Sequence, residues 1–202
     1  MINLLEQLDL ENILLDELKT YDLEFTQIRD NFTENFKFEK PFVSSLCELL
    51  LRNNKFPTQK EFRQYYIYNN KEYLKHNFLK TDSRFRIIAL ISRLNRAYPS
   101  LIRDLHFAIL LKKKTSLNVF YNDEFDYKQG IDILINDTFA LRLFVNTKTS
   151  YSNRYKKDYR REYNQKYTYI DVPITMSNDK LFGKFYLYNE DDIDDIKKHI
   201  NI

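Results

Sequence analysis

"QGIDILINDTFALRLFVNTK", Gln129–Lys148, is the stretch on which the reading of this chain turns. Two short apolar runs, "IDILI" and "FALRLFV", flank the turn-forming residues "NDT", and this pattern predicts a β-hairpin. Side chains alternate across a strand. In the first run Asp132 and Leu134 share one side and the three isoleucines the other. In the second, Arg142, Phe144, Asn146 and Lys148 oppose Leu141, Leu143 and Val145. A buried sheet favours apolar residues at such positions. Asp132 and Lys148 interrupt it, and a charge in that setting needs a partner or a function.

Beyond the hairpin, the chain changes character near residue 96. The first half reads as helices. "INLLEQLDLENILLDELK" carries Leu4, Leu8, Ile13, Leu14 and Leu18 at roughly helical spacing, and Phe25, Ile28, Phe32 and Phe36 favour another helix within 21–38. "PFVSSLCELLLRNN" follows with Pro41 near its start. In "FPTQKEFRQYYIYNNKEYLK", Thr58 and Glu61 have the spacing of a capping box. "DSRFRIIALISRLNRA" has Asp82 or Ser83 as its cap, and Pro99 opens a new helix, "PSLIRDLHFAILLKKK", because proline is tolerated in a first turn. After it come "NVFYN", "IDILI", "FALRLFV", "YTYIDVPI" and "KFYLY", short and rich in β-branched and aromatic residues. A basic helical stretch, 153–166, interrupts them. "DDIDDIKKHI" closes the chain as a helix whose acidic start and basic end suit its dipole. The expected class is α+β: a helical region, 1–96, then a core, 97–202, with the order α-β-β-β-α-β-β-α.

Composition narrows the function. At 43% hydrophobic and 30% charged residues, the chain has the material for a packed core. Gly130 and Gly183 are its only glycines, which excludes Walker and Rossmann phosphate loops. A single cysteine, Cys47, builds neither a disulfide framework nor a cysteine zinc site, and fits a reducing cytoplasm. No signal-peptide pattern opens the chain and no apolar run has membrane-spanning length, so a cytoplasmic protein without a membrane partner is expected.

The order helix, strand, "GID", hairpin, then a polar residue two before lysine at a strand end resembles the PD-(D/E)XK nuclease superfamily, over about residues 99–190. The resemblance implies a restriction-endonuclease-like α/β core, with a mixed sheet flanked by helices. It implies a Mg²⁺ (or Mn²⁺) ion held by an aspartate on one strand and an acid on the next, with a lysine orienting the attacking water. Residue by residue, Asp132 is then the metal-binding aspartate and Lys148 the lysine. Asn146 stands where the second acid belongs and offers the metal only a neutral carbonyl oxygen. Three readings stay open. Another acid, Asp126 or Glu124, compensates; the protein is a degenerate nuclease that binds without cutting; or the asparagine was introduced in place of an acid. The superfamily's first core helix often lends a polar residue to the site, a place open here to Asp104 or His106. A lone histidine on a mostly apolar helix otherwise reads as a satisfied, partly buried side chain.

The chemistry suits that layout. Phosphodiester hydrolysis needs an activated water and a stabilised pentacovalent charge. Mg²⁺ takes one or two carboxylates plus a phosphate oxygen. The expected activity is metal-dependent DNA endonuclease chemistry, in a setting such as a mobile element or defence system. The alternative is a protein of the same fold that binds nucleic acid or a protein partner without cleavage. In "SNRYKKDYRREYNQKYTY", Arg154, Lys156, Lys157, Arg160, Arg161 and Lys166 alternate with tyrosines recurring every four residues. The rings can pack on the sheet while the cations neutralise phosphates, although most charge runs are simply solvated helix faces. Arg103 is a further phosphate contact or ion-pair candidate. The helical region is open to a protein partner, and symmetric duplex cutting would call for a homodimer. Without any active site, Asp132 is a strand-edge acid paired with Lys148. A turn centred on Asn136–Thr138 would set Asp132 opposite Leu141–Leu143, and only a bulge or longer loop would bring it to Asn146.

Overall fold

A computed structural model describes residues 3–25, 27–79, 83–150 and 165–201. It is an α+β structure with an N-terminal helical region and a mixed sheet flanked by helices. The chain divides into two compact units, Asn12–Ile102 and Met1–Glu11 with Arg103–Ile202. The division falls inside one long helix, and the first residues join the C-terminal unit. No helix among the described residues is long and apolar enough to cross a membrane.

In the C-terminal unit, α1 (Leu4–Gln7) is short, and the chain at Leu8 is already extended. The single helix expected over the first eighteen or so residues is therefore absent; Leu15–Thr20 forms a separate 3-10 turn. Tertiary bonds compete with helical propagation here. Asn3 Nδ2 donates to Val119 O at 3.0 Å, its Oδ1 accepts from Tyr121 N, and Leu4 N donates to Tyr121 O.

The helical unit holds α2 (Asn31–Asn35), α3 (Phe42–Asn53), α4 (Gln59–Asn69), α5 (Lys71–Tyr73, running into a π-helical turn over Leu74–Phe78) and the first part of α6 (Ser83–Lys114). Thr58 and Glu61 form both halves of the expected capping box on α4. Phe36, Phe38, Phe42, Tyr66 and Phe78 make an aromatic cluster with edge-on and tilted contacts. The helix expected within 21–38 shrinks to α2. Arg93 donates to Thr33 O and Phe36 O, Arg96 to Ile28 O, and Gln59 exchanges bonds with both Glu24 N and Glu24 O. With its carbonyls bonded sideways to neighbouring helices, the segment has less need of internal helical bonds.

Pro99 does not open a helix; it lies inside α6. An interior proline removes one N–H and strands the carbonyl four residues earlier, here Asn95 O. The buried Gln59 Nε2 donates to that carbonyl at 3.0 Å, so α6 continues through the proline with its acceptor satisfied.

The sheet has the order β1 (Val119–Phe120), β2 (Ile133–Ile135), β3 (Phe139–Val145), β4 (Thr168–Ile174). The first two pairings are antiparallel and β3–β4 is parallel. One face buries Ile133, Ile135, Leu141, Leu143, Val172 and Ile174. The other carries Leu134 and Ala140, which pack with Phe125 and Ile131 under Phe120, Tyr167 and Tyr169. β5 (Leu181–Phe182) and β6 (Phe185–Tyr186) form a hairpin across Gly183, and α7 (Glu190–His199) ends the unit. Phe107 of α6 stacks on Tyr188 at 4.5 Å, and Tyr188 Oη donates to Val172 O at 2.7 Å, joining helix and sheet.

Replacing Gln59 by Leu should cost about 1–3 kcal/mol, because the Asn95 carbonyl is left buried without its donor. Pro99→Ala restores a helical N–H for that carbonyl, so the Gln59 loss should be about 1 kcal/mol milder in the Pro99→Ala background. A urea-unfolding double-mutant cycle reads this coupling; strict additivity would refute it.

Candidate functional site

The hairpin around Asp132 is set by its turn. Asn136 and Asp137 both have positive φ, 50° and 55°, as a type I′ turn requires. Thr138 N donates to Ile135 O at 3.1 Å, and the ladder resumes with Ile135 opposite Phe139. Counting back along this register places Asp132 across from Arg142. Asp132 N donates to Leu141 O at 3.0 Å, and its Oδ2 accepts the Leu143 N–H at 2.5 Å. The carboxylate therefore stands in for a backbone carbonyl at the end of β2, extending the ladder with a side chain. It is half-buried there.

Asn146 lies beyond the end of β3, four residues after Arg142. At about 3.3 Å per residue this is about 13 Å along the strand from the level of Asp132. Asn146 N still pairs with Ile174 O at 2.8 Å, and its Nδ2 donates to Thr175 Oγ1 at 3.2 Å. Lys148 is exposed in a helical turn that opens at 148. Thr147 caps that turn through a bond from Ser150 N to Thr147 Oγ1 at 3.1 Å. Two ligands of one Mg²⁺ sit about 2 Å from the ion, so Asp132 and Asn146 in this register do not meet on a shared metal. Among the described residues, no group of three or more His, Cys, Asp or Glu side chains is gathered to hold one.

The other candidate acids sit in the loop before β2. Glu124 is exposed and pairs with Lys128 at 3.2 Å. Asp126 belongs to the π-helical turn Phe125–Gln129. The basic candidates Arg154, Lys156, Lys157, Arg160 and Arg161 lie outside the described residues.

Helix α6 carries the candidates Arg103, Asp104 and His106. Asp104 and Asp132 both raise the pKa of Tyr188, after the larger effect of its burial, while the Arg103 guanidinium opposes them. The phenol therefore stays protonated near pH 7. Arg103 is 7% exposed and its Nε pairs with Asp104 Oδ1 at 3.3 Å, leaving little of it for a phosphate. His106, 5% exposed, has its ring centroid 6.3 Å from that of Phe182. Burial pushes its pKa down to about 4, so the ring is neutral near pH 7 and serves neither as a cation for phosphate nor as a base tuned to that pH.

Two groups of this region escape a motif reading. Tyr188 appears in the sequence only as one aromatic of "KFYLY". Arg142 interrupts an apolar strand, but its partner Asp171, reached at 2.6 Å, is supplied by the parallel strand β4. Its guanidinium also lies 5.2 Å from the Tyr169 ring centroid. The interruption at Arg142 was a legible signal; the pairing that answers it was not.

Asp132→Ala should destabilise the protein by about 1–3 kcal/mol by leaving Leu143 N–H without its acceptor, whereas Asp132→Asn keeps an oxygen there and should cost clearly less. Chemical denaturation without added metal distinguishes them, and equal losses would refute the ladder role. The lowered His106 pKa implies a stability contribution present above pH 6.5 and lost as pH falls towards 4. Over that window the wild type should lose about 3 kcal/mol more than His106→Leu; parallel pH profiles would refute this. Comparison with protein-family models, with curated proteins and with solved structures found no match to this chain.

Proposed function

We propose that this chain is a restriction-endonuclease-like protein that binds nucleic acid, DNA foremost, without cleaving it. The observation that carries the reading is the β2–β3 register. Asp132 is bonded into the ladder opposite Arg142, while a neutral Asn146 occupies the second acid's position well along the strand. Cleavage through this motif needs both ligands on one metal. The fold part of the reading is supported by the order of α6, the antiparallel β1–β2–β3 and the parallel β4. The nucleic-acid part is supported by the basic and aromatic run that joins β3 to β4, with exposed Lys148 just before it. The helical unit, with Phe25 and Phe85 exposed, is the place for a protein partner. A single buried thiol, Cys47, suits a reducing cytoplasm.

One observation favours a second reading, cleavage dependent on Mg²⁺ or Mn²⁺. Asp104 on α6 and Asp132 just before β2 both raise the pKa of Tyr188, and one or two carboxylates with a phosphate oxygen are enough to hold Mg²⁺.

Titrating labelled duplex DNA from about 50 to about 200 mM salt tests the binding. Affinity should fall steeply, and removing Arg160 and Arg161 together should flatten the log–log slope by about two. Salt-independent binding that survives both substitutions would remove the nucleic-acid face. Wild type, Asn146→Asp and Asn146→Glu should all leave DNA uncut with Mg²⁺ or Mn²⁺. Metal-dependent cleavage that disappears in Asp132→Asn or Lys148→Ala would establish the nuclease reading instead.

A further inference from the structure

We draw no further inference here: the strongest candidate, the cavity of about 360 Å³ between β4 and α7 lined by Asp171, Pro173, Asp192, Asp195 and His199, has its three carboxylates engaged by Arg142, Lys180 and Lys198, and nothing in the structure shows what covers it.

Discussion

Two left-handed residues, Asn136 and Asp137, close the turn on which the C-terminal unit depends. A strand's side chains alternate with a period of two, so the residue at which a turn reverses the chain decides what every later residue faces. Here it sets Ile133 opposite Leu141 and buries both. It also sets Asp132 beside the Leu143 N–H, where the carboxylate takes the place of a ladder carbonyl. The same register carries Arg142 to Asp171 through the parallel pairing of β3 with β4. A hydrogen bond from a backbone N–H to a carboxylate is charge-assisted, stronger than a neutral one, so the seal on the hairpin reinforces the turn that created it.

That seal bears on the proposed function. On the proposed reading, a carboxylate bonded to a strand has one fewer oxygen direction to offer a metal, and Asn146 offers no charge. On that reading each weakens the hold on a cation, and the separation along β3 compounds them. In the same unit, burial holds Tyr188 protonated, and the charges of Asp104 and Asp132 add to that effect while Arg103 opposes it.

The helical unit answers an equivalent problem by other means. Pro99 would ordinarily end or kink α6, yet Gln59 supplies the donor that the proline lacks. Arg93 and Arg96 likewise take up carbonyls of the irregular segment before α3. Long polar side chains from α4 and α6 thus stand in for helical bonds that the local sequence does not make.

Local patterns were enough for the α+β class, for the capping box at Thr58–Glu61, for the hairpin strands and for the closing helix. Each rests on neighbours within a turn or two, where propensity, alternation and capping act directly. The acid interrupting an apolar run at 132 and the neutral residue at 146 were equally visible, as was the turn at 136–138 that parts them. The tertiary structure decided the rest. It broke the first expected helix, because Asn3 bonds to β1 from more than a hundred residues away. It carried α6 through Pro99, because a distant glutamine meets Asn95 O. It brought Arg142 to Asp171 across the parallel β3–β4 pair. Those outcomes depend on partners far apart in the chain, whose meeting is set by packing and strand register.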